Sequence, residues 1–521
     1  MWSKRELGTG GTLATVLHSG GTAGSGAIVA CPMDHLKSLR AIFGFDHFRA
    51  GQAEAVAAAL ADRDALVVMP TGSGKSLCYQ LPALIRDDLT VVVSPLVSLM
   101  QDQASALERV APGRVGVINA LRGALANAEA VDRAVAGELS LLYVAPERFA
   151  SERFVDRVRQ ARIGLFVVDE AHCVSQWGHD FRPDYFSLAD AARIVGASAT
   201  MAVTATATPA VADDIARRLD LRDPLRIATG FDRPNLSFAV VRCETPIVKG
   251  RRLSETLADP GALPAIVYVG TRDNSDVLAE GLARKLGHEV LSYHAGLDRG
   301  ARARVQERFM GGEVPAIVAT NAFGMGIDKS DVRTVCHASV PASLEAYYQE
   351  AGRAGRDGLA ARCMLFAQPR DKGRHVYFIQ RSRVEDETFA WVCERLRWAG
   401  IDGRYDLEVS ELAGTRADEE SVRAVIGHLA RAELIAPEPS SFDRVAGRLG
   451  GEWDRVALAL CRDSAREVER ARWRQYRGVW DYVEGGGCRR TALLRYFGDA
   501  AVPAGGTACC DVCASPELRA A

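Results

Sequence analysis

Met69-Pro-Thr-Gly-Ser-Gly-Lys-Ser76 joins an apolar run that starts at Leu66 to a helix-like segment. Its small residues let main-chain N–H groups approach a phosphate closely at a helix N-terminus. The backbone from Gly72 to Lys75 is expected to surround a β-phosphate, with Thr71 and Ser73 in the same nucleotide-binding set. Lys75 then neutralises the β- and γ-phosphates, and the Ser76 hydroxyl completes a Mg²⁺ shell. Met69-Pro70 replaces the first part of the general pattern, but strand, loop and helix follow in order, so ATP is the expected nucleotide.

Outward from this loop, short apolar runs alternate with helix-like segments. Leu66 to Met69, Thr90 to Ser94, Leu141 to Val144, Leu165 to Val168 and Met201 to Thr204 read as strands buried on both faces. Such strands belong to a parallel sheet covered by helices, an α/β fold. The rhythm restarts with Ala265 to Val269, Glu289 to Tyr293, Ala316 to Ala319 and Val332 to His337, and it ends near Ala367. Arg233-Pro234-Asn235 breaks the pattern between the two sets. Beyond Pro369 the sequence turns to helices with charged faces. There Leu407 to Gly414, a turn, Glu419 to Ala432 and Leu434-Ile435 follow the order of a winged helix-turn-helix. A further helical region, Trp453 to Tyr482, interleaves Arg466, Arg470, Arg472, Arg474 and Arg477 with Trp473 and Tyr476.

Size and composition agree with several folded units. The chain has 521 residues, of which 48% are hydrophobic, and a formal net charge of -2. A nucleic-acid partner must therefore be held by local basic surfaces rather than by the overall field. Lys supplies only seven of the 64 basic residues, which favours planar arginine contacts with phosphates and bases. No apolar run approaches the ~18 residues that a membrane span needs. Most of the 12 cysteines stand singly in apolar contexts (Cys78, Cys243, Cys336, Cys363, Cys393), as small core residues do in a reducing cytosol.

Leu165-Phe-Val-Val-Asp-Glu-Ala-His172 ends a strand in paired carboxylates, and each has its own task. Asp169 is expected to hold Mg²⁺ through water, and Glu170 to orient and deprotonate the attacking water. His172 lacks spaced metal-ligating partners. It reads either as a relay from the site to neighbouring segments or as a structural hydrogen-bonding group.

Gln349-Glu-Ala-Gly-Arg-Ala-Gly-Arg-Asp-Gly358 places two glycines beside two arginines, a costly pattern for an ordinary surface helix. Close packing at an interdomain cleft explains the glycines better. Gln349 joins the nucleotide-binding set, and Arg353 and Arg356 then reach the γ-phosphate from the second domain. Arg356 is taken as the finger and Arg353 as its phosphate-sensing neighbour, roles that are interchangeable on sequence.

With these motifs in place, the chain resembles a RecQ-type DNA helicase of superfamily 2 over Asp34 to about His375. Phe43-Gly-Phe-Asp-His-Phe-Arg-Ala-Gly-Gln52 is similar to that family's adenine-recognition segment, which implies that Gln52 reads the base edge with support from Arg49. Ser94 to Gln103, Val203 to Pro209 and Val318 to Lys329 resemble further helicase motifs. Cys173-Val-Ser-Gln-Trp-Gly-His-Asp-Phe-Arg-Pro-Asp-Tyr185 is similar to the aromatic-rich loop that couples single-stranded DNA to ATP hydrolysis. The resemblance implies DNA contacts at Gln176, Trp177, His179, Phe181 and Arg182, with the rings stacking on bases. Spacing alone also allows Trp177 and Phe181 to be core residues of one helix face.

Cys488, Cys509, Cys510 and Cys513 are the clustered thiols, and they fit a structural Zn²⁺ site. The segment looks like the family's zinc-binding module, which usually spaces its last three ligands as Cys-x-x-Cys-x-x-Cys. Here Thr507 occupies the first of those positions, and Cys509 is expected to serve as a displaced ligand; a water, a different ligand, a degraded site or a metal-free cluster are the alternatives.

The resemblance implies two tandem RecA-like domains, a helical and winged-helix-like region, and a small zinc module. The expected divisions are a flexible extension at 1–33, RecA-like domains at 34–230 and 231–369, a linker and winged-helix-like domain at 370–450, and the zinc-binding module at 451–521. The implied activity is ATP- and Mg²⁺-dependent 3′ to 5′ translocation on single-stranded DNA, unwinding tailed or branched duplexes in recombination or repair. A monomer in the bacterial cytoplasm, near the nucleoid, is expected, with a single-stranded-DNA-binding protein as a partner. An RNA helicase, a translocase that does not unwind, and a binding protein with a vestigial ATPase are the alternatives.

Overall fold

The computed structural model describes residues 15–17, 32–119, 122–175, 185, 187–324, 329–381, 383–438, 443–450, 453–503 and 509–514. Among them, strands form three sheets. The first has eight strands in the order Thr15–Leu17, Leu225–Ala228, Ala65–Val68, Ala199–Thr204, Ile163–Val168, Leu89–Val93, Leu141–Val144 and Val115–Ile118. All pairs in it are parallel except the edge pair made by Thr15–Leu17. Its inner strands are buried end to end, as Val/Ile/Leu runs covered by helices on both faces should be.

Sequence reading found five of these strands. Val115–Ile118 and Leu225–Ala228 escaped it, because Gly116 and Arg226 interrupt their apolar runs. Thr15–Leu17, within the segment read as an extension, pairs with Arg226 to Ala228.

The second sheet is wholly parallel, in the order Val290–Tyr293, Ala316–Ala319, Ala265–Tyr268, Thr334–His337, Ala361–Ala367 and Leu236–Arg242. The Phe231 to Asn235 segment leads from the first sheet into Leu236–Arg242, an edge strand of the second.

The third sheet is a small antiparallel one, Arg404–Glu408, Arg444–Leu449 and Ile435–Glu438. With the helices Val409–Ala413 and Glu419–Arg431 it makes a winged-helix-like unit around its own core of Phe389, Val392, Leu396, Leu412, Val422, Val425 and Leu429. Leu407 and Glu408 belong to its first strand rather than to the helix that the sequence suggested. Glu408 caps the following helix through a capping box with Glu411.

A 30-residue helix, Arg455–Glu484, runs from this unit back to the second sheet. Its aromatic stripe is packed rather than presented: Trp480 is buried and donates from Nε1 to His375 Nδ1 at 3.2 Å, and Tyr476 lies edge-on to the same imidazole.

Candidate active site

In a parallel α/β sheet, groups that follow the carboxyl ends of neighbouring strands converge. The phosphate loop follows Ala65–Val68 and the carboxylate pair follows Ile163–Val168, with Ala199–Thr204 between them. Gly72 and Gly74 both stand at φ +82°, where a side chain would strain the backbone. A Cβ on Gly74 would also lie 2.7 Å from Gln52 Nε2.

Lys75 folds over its own loop, donating from Nζ to the Met69 and Pro70 carbonyls at 3.2 and 3.3 Å. Burial lowers the Lys75 pKa from its ordinary value, and Glu170 and Asp169 oppose that fall. Asp169 is pushed up to about 7, by burial first and the Glu170 charge second, against the pull of Lys75. A divalent cation at this carboxylate would reverse the shift.

Glu170 sits at φ +48°, a rarely adopted conformation for a non-glycine residue, and it turns the chain into Ala171–Val174. One of its carboxylate oxygens lies 3.3 Å from His172 Nδ1. The same nitrogen is 3.1 Å from Thr204 Oγ1, on the intervening strand. His172 is fully buried and lies between Glu170 and Thr204 of the Val203 to Pro209 segment.

Gln52 and Arg49 hold the phosphate loop from the side. Gln52 is 2% exposed and donates to the Ser73 and Gly74 carbonyls, and Arg49 donates to the Gly72 carbonyl at 2.7 Å.

The second domain closes on this loop. Ser343 caps the helix Leu344–Ala351, which carries Gln349, and the chain then turns at Gly352. A Cβ on Gly352 would meet Thr71 Cβ at 3.3 Å, so the absence of a side chain permits the close approach expected from the sequence. Gly355, at φ +54°, faces the Asn235 amide, with a built Cβ only 2.5 Å away.

The Arg356 stem lies against Gly72, and its charge acts on Lys75. Arg353 is 4% exposed and sits deeper in the second domain, near Gly324 and the Tyr268 hydroxyl. Arg353 and Gln349 line instead a separate interdomain cleft of about 1160 Å³, whose walls include Ser98 and Gln101 from the first domain and Arg299 and Arg302 from the second but no residue of the phosphate loop or the carboxylate pair.

Sequence reading missed Arg233. Its guanidinium donates to the carbonyls of Thr71, Gly352, Ala354 and Gly355 at 2.9–3.2 Å, so it touches both the phosphate loop and the arginine loop. The signal was present as a break in rhythm at Arg233-Pro234-Asn235 and was taken only as a boundary. Gln176, Trp177, His179, Phe181 and Arg182 lie outside the described residues.

The site fits a nucleotide on its own chemistry. Thr71 Oγ1 is buried with no hydrogen-bond partner, the glycine backbone leaves room for phosphate, and Ser76 and Asp169 offer hard oxygen ligands suited to Mg²⁺.

At the other end of the chain, the thiols of Cys488, Cys509, Cys510 and Cys513 all lie within 4.8 Å of one another. Cys488 Sγ is 3.5 Å from Cys509 Sγ and 3.9 Å from Cys510 Sγ. A tetrahedron with Zn–S bonds of ~2.3 Å has sulfur–sulfur edges of about 3.8 Å, so the donor set fits zinc. The adjacent Cys509 and Cys510 both face inward because the chain turns sharply there, with Cys513 and Ala514 N–H groups donating to the Cys510 carbonyl. Arg489 N–H points at Cys510 Sγ at 3.4 Å, a supporting contact that orients the thiol.

Two facing parallel-sheet domains, one with a phosphate loop and the other with an arginine loop, define the helicase class of nucleotide-driven proteins. Family comparisons agree segment by segment: the DEAD/DEAH box helicase model matches residues 49–215, the helicase conserved C-terminal domain 250–358, and RecQ zinc-binding 454–514. The ATP-dependent DNA helicase RecQ of Haemophilus influenzae is 43% identical over 337 residues, covering 64% of this chain and 54% of that protein. The probable ATP-dependent DNA helicase RecS of Bacillus subtilis is 33% identical over 486 residues, covering 92% of this chain and 91% of that protein. The chain belongs to the RecQ family of DNA helicases. It spans about half the length of the RecQ relatives it matches. Among solved structures, the DUF1998 helicase MrfA bound to DNA shares the fold at a TM-score of 0.55 and 17% identity, covering 82% of this chain and 63% of that one.

Proposed function

We propose that the chain is an ATP-dependent DNA helicase whose hydrolytic site is the cleft between its two parallel-sheet domains. The observation that carries this reading is the approach of Arg356, from the second domain, to Gly72 and Lys75 of the first. An arginine so placed stabilises charge that builds up on the γ-phosphoryl group only while the cleft is closed.

In this reading Lys75 and the backbone of Gly72 to Lys75 bind the β- and γ-phosphates. Gln52 reads the base edge with support from Arg49, Gln349 and Arg353 extend the site from the second domain, and Arg353 senses the phosphate. Ser76 and Asp169 would hold Mg²⁺, which would supply neutralising charge to the phosphates. Glu170 accepts a proton from the attacking water as its oxygen bonds to the γ-phosphorus and the bond to the ADP oxygen breaks. His172 reports the carboxylate's state to Thr204 and the segment that follows. Zn²⁺ on Cys488, Cys509, Cys510 and Cys513 stabilises a module that has little core of its own.

Cycles of closure and reopening move the protein along one DNA strand. Gln176, Trp177, His179, Phe181 and Arg182 provide the grip beside Glu170 on this account. Movement is 3′ to 5′, the substrates are tailed or branched duplexes, and the setting is repair or recombination in the bacterial cytoplasm near the nucleoid. The protein acts as a monomer, with a single-stranded-DNA-binding protein as its partner.

The test is ATP turnover with single-stranded DNA, with RNA, and with neither, followed by strand separation on duplexes with a 3′ or a 5′ tail. DNA stimulation and separation of the 3′-tailed duplex are expected. Stimulation by RNA alone would assign the motor to the other nucleic acid, and stimulation without separation would leave a translocase.

A further inference from the structure

Arg233 occupies an unusual position for a linker residue. Its guanidinium is half-buried and faces four main-chain carbonyls: Thr71 in the phosphate loop, and Gly352, Ala354 and Gly355 in the arginine loop. Both terminal nitrogens take part, and the planar fork lets one side chain span two loops on two domains, as a point-charge ammonium would not. Asn235, two residues on, adds hydrogen bonds to the Gly355 and Leu359 carbonyls at 2.8 and 2.9 Å. The arginine loop that delivers Arg356 is thus held against the phosphate loop through the linker.

The linker is itself gripped from the far end of the chain. Phe231 N–H donates to Asp499 Oδ2 at 2.8 Å, and the Phe231 ring stacks on Phe497 at 4.5 Å between centroids. Arg490 pairs with Asp232 at 3.5 Å and donates to the Pro234 and Leu236 carbonyls. Residues on either side of Arg233 are therefore fixed by the helix Arg489–Tyr496 and the turn that follows it.

We propose that Arg233 is a positioning residue for ATP hydrolysis, keying the arginine loop to the phosphate loop, and that the C-terminal module sets its position through Phe231 and Asp232. This inference rests on the hydrolytic reading of the cleft given above. It makes the module a determinant of turnover.

The test uses the full chain, with wild-type ATPase measured first so that failure of the hydrolytic reading shows by itself. Arg233→Ala is expected to lower kcat about tenfold or more, because small misplacements of catalytic groups are that costly. The KM for ATP should change by less than about threefold, since the phosphate contacts remain. Arg233→Lys should behave like the alanine variant; full rescue by lysine would reduce the role to a general positive charge and overturn the proposal.

A second arm tests the module. Asp499→Ala should lower kcat about threefold in the wild-type background and have no further effect in the Arg233→Ala background, the non-additivity of residues acting in series. Additive effects would break the proposed link. Independently of turnover, amide hydrogen exchange in residues 69–76 and 352–358 should speed up together in Arg233→Ala, while exchange in the winged-helix-like unit stays unchanged. Unaltered exchange in those two loops would overturn the keying role even if no ATPase were detected.

Discussion

Glu170 stands where its geometry sharpens one expectation. Its left-handed backbone carries the carboxylate off the end of the strand, with one oxygen 3.3 Å from His172 Nδ1. Glu170→Gln keeps the shape and removes the proton acceptor. Turnover should then fall about 10²- to 10⁴-fold while labelled-nucleotide binding persists. Hydrolysis that survives unchanged would remove Glu170 from its role.

A second residue-scale expectation concerns pH. His428 is 6% exposed and its pKa is pushed down to about 3, by burial first and then by Arg431 and Arg472. Ser464 Oγ approaches its Nδ1 at 3.1 Å, and Arg431 approaches the same nitrogen. The folded-state value lies below the unfolded value near 6.5. The unfolded chain therefore binds the extra proton between these limits, and stability is full above pH 6.5 and lost on acidification. Between pH 6.5 and 5 the winged-helix-like unit should lose about 2 kcal/mol from this group. Thermal midpoints of wild type and His428→Asn across that range check it: the variant should show the shallower pH slope.

Among elements, the uninterrupted apolar strands and the glycine-bearing loops were the most legible in sequence. Ala65–Val68 and Ile163–Val168 are continuous apolar runs that stop at chemistry-bearing residues, so local pattern and tertiary role coincide. Gly116 and Arg226 interrupt the apolar runs of Val115–Ile118 and Leu225–Ala228, which is why those strands needed the structure. Arg233 was illegible for another reason. Its partners are carbonyls, which carry no side-chain identity, and they lie 119 to 162 residues away in sequence. Trp473 and Tyr476, interleaved with arginines in the sequence, contact each other edge to face, and Tyr476 lies edge-on to His375.

The thiol cluster yields the prediction proper to this scale. Cys509 lies 3.5 Å from Cys488, although its position departs from the family's usual spacing. Cys509→Ser should cost about one equivalent of bound zinc per chain, measured by elemental analysis, and should loosen the helix Arg489–Tyr496 from the linker. Retention of the full zinc content would show that three thiols suffice and would remove Cys509 from the ligand set.

Over the whole molecule, the two sheets share one cleft, and the C-terminal module grips the segment that joins them. Asp511 continues this arrangement: its carboxylate accepts from Val240 N–H at 3.1 Å, and its own N–H donates to the Phe238 carbonyl on the same edge strand. Relative movement of the domains must therefore pass through a linker braced by the module. On the hydrolytic reading proposed above, nucleotide-dependent closure is a movement of one domain against a body made of the other domain, linker and module.

Strand separation by wild type and Arg356→Ala, on a duplex with a 3′ tail and with DNA binding measured in parallel, tests the central claim most directly. Wild type should separate the strands with ATP. Arg356→Ala should bind the same DNA with similar affinity and separate it at least a hundredfold more slowly, in keeping with the 10³- to 10⁵-fold effects of such arginines. Separation by Arg356→Ala at the wild-type rate would contradict a motor whose hydrolytic site is completed across the cleft.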